Sequence, residues 1–263
     1  MWILLNFITV MLYGSAAFIQ LRGVSGAWSN ARNMTLALGG VAVTCHAMML
    51  YHWIDIGIGQ NLTTLNLVSL TAWLVSLFVI GLSLIKPLEK LGIVVFPWAA
   101  ISMVLVVLLP GRYVIDTAGD PKQFIHILLS ISSFSVFVLA GVMAFFIIIM
   151  QQRLRQKRLM GFWLKLPALD ALETVLFRVI LTGLLLLTSQ LVTSIYFYHE
   201  VLWQHFAQKT LFSIAAWLMF ATLILGRVFL GWHGKKSVYC TLGGISFIIL
   251  AYFSSNIILG YIL

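Results

Sequence analysis

The chain has 263 residues, of which 62% are hydrophobic and 9% are charged, and its mean hydropathy is +1.05. An ordinary water-soluble domain carries about 25% charged residues, so this composition excludes that class and indicates a membrane protein. Most of the net charge of +9 is attributed to the Gln151–Lys165 loop, which can face anionic lipid headgroups, so we expect membrane lipid, and no nucleic acid, as a partner.

Apolar segments of about 20 residues, the length that crosses ~30 Å of hydrocarbon, recur along the chain. In order they lie at about Met1–Leu21, Asn33–Trp53, Leu65–Ile85, Leu91–Leu109, Phe124–Met150, Leu176–Tyr198, Lys209–Trp232 and Tyr239–Leu263. Arg22 follows the first segment where a signal peptide would have a small-residue cleavage site, so we expect a retained anchor. The predicted fold class is an all-α integral membrane protein, a bundle of eight transmembrane helices.

Basic residues set the predicted orientation. With the N- and C-termini both outside, in the periplasm, only Arg112, Lys122 and Lys209 of the 16 Lys and Arg residues fall on the outer side. Basic residues resist translocation, so the other side is predicted to be cytoplasmic and the protein to lie in the bacterial inner membrane. A basic, then amphipathic loop at 151–175 is expected on the cytoplasmic surface, within a single domain that covers residues 1–263.

Several catalytic classes are excluded by what the sequence lacks. Cys45 and Cys240 lie at different predicted depths, so no disulfide is expected between them. There is no Cys-x-x-Cys, so the chain is neither a thiol reductase nor itself a c-type cytochrome. It also contains no His-Glu-x-x-His and no phosphate-binding glycine loop, and its 7 carboxylates lie in loops or at helix ends. We therefore expect a protein that is not an enzyme.

Five of the predicted helices carry their polar side chains in the same, outer half of the membrane. These side chains include His46 on the second helix, Asn66 and Ser69 on the third, His126 and Ser130 on the fifth, Gln190 on the sixth and Asn256 on the eighth. One interpretation is hydrogen bonding between packed helices, and the other is an outward-facing cavity or ligand site. The inner halves are apolar, which disfavours a transporter. The fourth helix has almost no polar residue and is expected to face lipid.

The six histidines differ in their predicted surroundings. His46 is deepest in the membrane, where an imidazole needs a partner: either iron, or a hydrogen bond to the helix backbone, Ser69 or Asn66. His126 opens the fifth helix at the outer surface, as a ligand or as an interfacial residue. His52 is expected in an interfacial aromatic belt. The remaining three lie in loops: His199 and His205 outside, and His233 in a basic turn inside.

Several different short motifs follow one another along the chain. They are Cys45-His46-Ala47, Gly59-Gln60-Asn61-Leu62, Leu67-Val68-Ser69-Leu70, His126–Ser130 with Phe134, Lys209 with Ser213 and Trp217, Gly231–Lys236, and Tyr252-Phe253 with Asn256 and Gly260. In this order they resemble the cytochrome c assembly family of haem-handling membrane proteins, which includes CcsA and CcmC. The likeness is greatest to the shorter YpjD- and HemX-like branch.

The resemblance implies haem bound near the outer face in aid of cytochrome assembly. Some family features are missing. Phe206, Ala207 and Gln208 stand where the tryptophan-rich WWD segment would have Trp, Asp and Pro, with Trp203 out of step. Arg227 stands near the place of a second membrane histidine, and the chain ends where a haem-handling member would continue to a second external one. Only His46 and His126 of the family's haem-associated histidines carry over.

We therefore expect a haem-binding inner-membrane protein in haem handling or in cytochrome c-type assembly or regulation. The resemblance implies His46 and His126 as ligands of the haem iron, to one haem or to two, with His205 as a replacement ligand. Asn66, Ser69, Gln190 and Asn256 would line the site. The alternative is a haem-free membrane scaffold or regulatory subunit that keeps the family fold and acts on another membrane protein.

Overall fold

Helices make up most of the chain that the structure describes. The computed structural model covers residues 1–24, 30–57, 59–115, 121–157, 168–202 and 207–262, with residues 24, 198–202, 207 and 253–262 as backbone alone. The helices are α1 (Trp2–Val24), α2 (Ala31–Ile54), α3 (Thr64–Ile85), α4 (Gly92–Leu108), α5 (Pro121–Arg155), α6 (Leu169–Leu202), α7 (Ala207–Leu230) and α8 (Lys235–Ile262). A 3-10 turn at Glu89–Leu91 precedes α4, and two short strands, β1 (Gln60–Asn61) and β2 (Val114–Ile115), lie in loops.

Helices α1 to α7 are long and apolar enough to cross a membrane. This confirms the predicted all-α membrane fold class. Helix α8 completes a set of eight α-helices within the described ranges. The count of eight spans, the periplasmic placement of both termini and the single domain stay predictions.

Two helices are much longer than a bilayer requires. α5 has 35 residues and α6 has 34, which at ~1.5 Å per residue gives about 50 Å each, against ~30 Å of hydrocarbon. We predicted from the sequence that the fifth span ends near Met150, but α5 continues as helix to Arg155. Helix therefore extends from both sides into the 151–175 segment that was predicted as a loop, of which residues 158–167 lie outside the described ranges.

The chain divides into two compact units. Unit 1 is Met1–Asp120 with Gln156–Pro167, and unit 2 is Pro121–Arg155 with Ala168–Leu263. In unit 1, α1 packs on α2 and α4, and α3 packs on the same two helices. In unit 2, α5 packs on α6 and α8, and α7 packs on the same two. Each unit therefore contains four helices, each of which contacts two neighbours.

Helix α4 corrects one expectation from the sequence. We expected this helix to face lipid, but Val95, Phe96, Ala99 and Met103 are buried in unit 1. Only its opposite face, which includes Ile101, is exposed. The physical reason is that helices in a bilayer associate by close packing of apolar and small residues, so an apolar composition does not distinguish a protein-facing surface from a lipid-facing one.

Polar side chains also join helices inside unit 1. The Thr35 hydroxyl donates to Gln20 Oε1 at 3.0 Å, between α2 and α1. The Trp73 indole donates to the Val43 carbonyl at 2.8 Å, between α3 and α2. These contacts satisfy polar groups that hydrocarbon cannot hydrogen-bond, so part of the polarity in the spans serves packing alone.

The loops at one end of unit 1 are tied together by a short antiparallel ladder. β1 pairs with β2 so that Gln60 faces Ile115 and Asn61 faces Val114. The Asn61 amide donates to the Gly111 carbonyl at 3.2 Å, and its oxygen accepts from the Tyr113 backbone at 2.9 Å. The loop after α2 and the loop after α4 are therefore held as one piece of structure.

A stacked aromatic pair forms the centre of unit 2. The rings of Phe137 on α5 and Phe220 on α7 lie 4.1 Å apart at 12°. Glycines make room for both rings, since a Cβ at Gly183 would come within 2.9 Å of Phe137 and one at Gly244 within 2.6 Å of Phe220. All four helices of unit 2 thus meet around this pair.

A buried carboxylate holds the end of unit 2 that carries Lys235 and Lys236. Glu173 of α6 is 5% exposed. One of its oxygens accepts from the Gln151 amide of α5 at 3.2 Å, and the other accepts from the Gly234 backbone N–H at 3.1 Å, just before α8. The positive end of the α8 dipole favours a negative charge at this position. Glu173 therefore caps α8 from a different helix.

Candidate functional site

His46 lies in a closed polar cluster in the core of unit 1. Its Nε2 is 3.0 Å from the Ser69 hydroxyl on α3, and its Nδ1 is 3.2 Å from the Tyr13 hydroxyl on α1. Ser102 of α4 lies 3.5 Å from Ser69 and donates to the Ala99 carbonyl at 2.8 Å. Each of the four helices in unit 1 contributes one side chain to this His46 cluster, which consists of Tyr13, His46, Ser69 and Ser102.

The His46 cluster has no open position for a metal in this arrangement. His46, Ser69 and Tyr13 are each 0% exposed, and both ring nitrogens of His46 face a hydroxyl. A hydroxyl can either donate or accept, so the cluster can satisfy a neutral imidazole in either tautomer. For His46 to bind iron, one of its ring nitrogens would first have to lose its contact with Tyr13 or Ser69. The contact to Ser69 is the non-metal alternative that the sequence left open.

Asn66, also predicted to line a haem site, lies apart from these contacts. Its amide donates to the Asn61 carbonyl at 2.9 Å, and its backbone N–H donates to the Thr63 hydroxyl at 3.3 Å. Its side chain lines a cavity of about 280 Å³ at the end of unit 1 where α3 begins. That volume is at the lower end of small-ligand pockets, ~300–1,000 Å³, so the cavity suits a small head group better than a macrocycle.

His126 has a different environment, near the start of α5 in unit 2. It is half-buried, and its Nδ1 lies 3.0 Å from the Thr193 hydroxyl on α6. Thr193 in turn donates to the Gln190 carbonyl at 2.9 Å. A neighbour that fixes one ring nitrogen sets the tautomer and orientation of the imidazole, which is the usual arrangement around a metal-ligating histidine.

Two serine hydroxyls follow His126 along the same face of α5. Ser130 and Ser133 are one and two turns further on, and their Oγ atoms are buried without a hydrogen-bond partner among the described residues. Gln190 of α6, predicted as a site residue, is 7% exposed. Buried polar atoms are normally paired, so these unpaired hydroxyls mark a place where a polar ligand or water would be bound.

The remaining residues that the sequence singled out lie in separate parts of the fold or outside the residues that the structure describes. His205 lies outside the described residues, and Asn256 belongs to α8 but its side chain is not described. His52 stacks on Trp2, with ring centroids 4.2 Å apart. His233 is exposed and contacts the Gly231 carbonyl.

Arg227 has a structural role in unit 2. It donates to the Trp232 carbonyl at 3.1 Å and lies over the Phe177 ring at 4.7 Å. Arg227 therefore holds the turn before α8 against α6 by a hydrogen bond and a cation–π contact.

Sequence reasoning missed two residues that define these environments. Tyr13 carries no signal in the sequence, because a lone tyrosine in an apolar helix is equally compatible with lipid contact. Thr193 stood in the polar part of the sixth helix, but nothing local distinguished it from Thr188, whose hydroxyl accepts from the Trp217 indole at 2.8 Å. Only the packing of α5 on α6 selects Thr193 as the partner of His126.

Comparison with known proteins gives the family. Residues 34–263 match the cytochrome C assembly protein family. The chain belongs to this family. The match spans both units, and it confirms the resemblance that the ordered motifs indicated.

Named relatives of this family member agree with that assignment. The inner membrane protein YpjD of Escherichia coli K12 is 30% identical over 240 residues, which cover 89% of this chain and 88% of the relative. The cytochrome c biogenesis protein CcsA of Prochlorococcus marinus is 29% identical over 91 residues, 34% of this chain and 29% of the relative. No solved structure matches. With its apolar helices, this family member is a multi-pass inner-membrane protein.

Proposed function

We propose that this member of the cytochrome c assembly family binds haem through unit 2 and acts in haem handling or in cytochrome c-type assembly or regulation. The observation that carries the proposal is the His126 site, an imidazole held at Nδ1 by Thr193 and followed along α5 by two buried, unpaired hydroxyls. These residues fit a haem ligand. We do not propose a catalytic activity for this site.

In this proposal His126 would hold the haem iron through Nε2, since Nδ1 contacts Thr193. Thr193 keeps the ring in one tautomer and orientation, and thereby sets its basicity as a ligand. Ser130, Ser133 and Gln190 offer hydrogen bonds to polar edges of the ligand. Bound haem would supply an iron whose axial ligation and redox state the protein controls. His205 and Asn256 remain proposed contributors.

His46 has a second place in this proposal. Both of its ring nitrogens contact hydroxyls, so it becomes an iron ligand only if Tyr13 or Ser69 moves away. We propose the His46 cluster first as a structural element of unit 1, and as a ligand only in a rearranged state.

The test of haem binding is an absorption spectrum of the purified protein from haem-replete cells, oxidised and reduced. We expect a Soret band that is lost in His126→Ala and kept in His233→Ala, which removes an exposed histidine of the same chain. Thr193→Val should keep the band but shift its position or the reduction potential, because the ring loses its Nδ1 partner. A wild-type spectrum without a Soret band, or one unchanged in His126→Ala, contradicts the proposal.

We also propose that both termini lie in the periplasm. Basic residues cluster at the opposite loops, and the positive-inside rule places those loops in the cytoplasm. A reporter enzyme that is active only outside the cytoplasm, fused after Leu263, should be active. The same reporter in the 156–167 segment should be inactive, and the reverse pattern would overturn the proposed orientation.

A second candidate function is a haem-free scaffold or regulatory subunit that acts on another membrane protein. The enclosed His46 cluster favours it, because a histidine with two hydroxyl partners needs no metal. This candidate predicts a colourless preparation from haem-replete cells, and a partner membrane protein that is retained equally by the wild type and His126→Ala in mild detergent. Loss of that partner in His126→Ala would count against it.

A further inference from the structure

The cavity at the end of unit 1 contains a buried amide that the fold does not satisfy. Asn6 of α1 is 7% exposed, it lines the cavity, and its Nδ2 has no hydrogen-bond partner among the described residues. An unpaired buried donor is costly, and such groups are rare in folded proteins. The simplest reason for its presence is a ligand that accepts a hydrogen bond there.

Asn66 brings a second amide side chain to the lining of the cavity. Asn66 is 3% exposed and donates through its amide to the Asn61 carbonyl. Its Oδ1 makes no hydrogen bond within the described part of the chain. Two buried amide side chains, Asn6 and Asn66, therefore belong to the lining of one cavity.

The rest of the lining is mostly apolar and aromatic. Two further polar residues in it, Asn61 and Thr63, already hydrogen-bond backbone groups. Trp2 and His52 form a stacked pair at its edge, Trp53 is a further ring, and the aliphatic wall comes from residues such as Leu65 and Val106. None of the described lining residues is an Asp, Glu, Lys or Arg. A phosphate, carboxylate or ammonium head group would have no charged partner here. A sugar would meet too few polar groups for its hydroxyls.

We propose that this cavity binds an uncharged, carbonyl-bearing head group of a membrane-soluble molecule, of the quinone or quinol class. A ring carbonyl would accept from the Asn6 amide once that side chain turns toward the cavity, and a quinol hydroxyl would donate to the Asn66 amide oxygen. The ring would lie among the tryptophans, and an alkyl tail would follow the aliphatic wall into lipid. A volume of about 280 Å³ suits one or two fused rings. This binding site belongs to unit 1 alone and is independent of haem at His126.

The test measures neutral lipids that stay with the protein. The wild type, Asn6→Leu and Asn33→Leu are purified in the same detergent, extracted, and analysed for quinone and for diacylglycerol per mole of protein. Asn33 is an exposed asparagine at the start of α2, so Asn33→Leu is the matched control. We expect quinone with the wild type and the control, and roughly five- to tenfold less with Asn6→Leu, the cost of one hydrogen bond.

Rebinding gives a second measurement. A short-chain benzoquinone added to delipidated protein should quench tryptophan fluorescence at lower concentration in the wild type than in Asn6→Leu, by the same factor. Asn6→Leu should unfold at the same or a higher temperature than the wild type, since it removes an unpaired amide. A weaker quench in a well-folded variant therefore reports binding and not misfolding.

The other outcomes are equally decisive. Diacylglycerol that is retained by the wild type and lost in Asn6→Leu would overturn the quinone and support a glycerolipid with the same carbonyl chemistry. If all three proteins retain equal amounts of quinone, or if they retain only charged phospholipid, the proposed site is wrong. The Soret band of Asn6→Leu should be unchanged and His126→Ala should keep its quinone, so failure of this inference and failure of haem binding are separate results.

Discussion

Two histidines of this protein lie in helices of the same type but in opposite kinds of surroundings. His46 in unit 1 is fully buried, and each of its nitrogens faces a hydroxyl from a different helix. His126 in unit 2 is half-buried, with Nδ1 fixed by Thr193, and it is followed on α5 by two hydroxyls that have no partner among the described residues. The first environment is complete without a ligand, and the second is not.

The difference shows how a polar residue in a membrane span should be judged. Hydrocarbon offers no hydrogen bonds, so every polar group must be paired within the protein or by a ligand. The His46 cluster satisfies that requirement internally and stabilises unit 1. The hydroxyls of Ser130 and Ser133 do not, and this incompleteness, more than the presence of a histidine, marks a binding site.

The largest loss of stability is expected when His46 is removed from the His46 cluster. His46→Ala removes the partner of both Tyr13 and Ser69 and leaves a cavity, so we expect a loss of about 3 kcal/mol in the free energy of unfolding. Unfolding in mixed micelles measures this. His233→Ala, at an exposed position, should change it by less than about 0.5 kcal/mol. Equal values for the two variants would mean that the cluster does not stabilise unit 1.

A smaller loss should follow when one hydroxyl of the cluster is removed. Tyr13→Phe keeps the ring, which lies 5.7 Å from Phe96, and deletes the hydroxyl that contacts His46 and Ser76. We expect about 1 kcal/mol of destabilisation in the wild-type background and a smaller loss in His46→Ala, where only the contact to Ser76 remains to be lost; a double-mutant cycle measures this coupling. The same loss in both backgrounds would show that the hydroxyl stabilises the fold through another contact.

His126→Ala should cost less stability than His46→Ala in unit 1. The side chain is half-buried, and its hydrogen bond to Thr193 joins two neutral groups, so we expect a loss of about 1 kcal/mol. Unfolding of haem-free protein is the measurement. A loss as large as that of His46→Ala would mean that His126 is part of the packed core of unit 2, and the contrast between the two histidines would disappear.

The smallest effect is expected at Ser133. Its hydroxyl is unpaired, so Ser133→Ala should leave the stability of ligand-free protein unchanged or raise it by a few tenths of a kcal/mol. Ser135→Ala is the matched control two residues away, since that hydroxyl donates to the Ile131 carbonyl at 2.8 Å. Haem retention should fall in Ser133→Ala and not in the control. A clear loss of stability in Ser133→Ala would show that the hydroxyl has a partner.

The sequence predicted the helices well because their signal is strong. About 20 apolar residues in a row have few alternatives in a membrane protein, and charges such as Arg22 mark the ends. It placed the end of α5 too early, at Met150, because composition locates the bilayer boundary and not the end of the helix. Backbone hydrogen bonding continues the helix to Arg155, where the chain has already become basic.

The candidate site was predicted only in part. His46 and Ser69 were expected close together and are in contact, but Tyr13 was missed because its position depends on how α1 packs on α2. The lipid-facing assignment of α4 was wrong for a similar reason. A polar stretch shows that a helix contains groups that need hydrogen-bond partners. Which partner each group finds depends on packing between segments far apart in sequence, such as those that contain Thr193 and His126.

Glu173 has a consequence for how unit 2 could move. Its carboxylate accepts from Gln151 of α5 and from the backbone just before α8, while Arg227 ties the end of α7 to the turn before α8 and lies over Phe177 of α6. If one of these helices slid at this end, the buried Glu173 carboxylate would lose hydrogen bonds. The end is therefore a fixed pivot, and any opening that admits a large ligand must come from splaying the helices at the far end, where His126 lies.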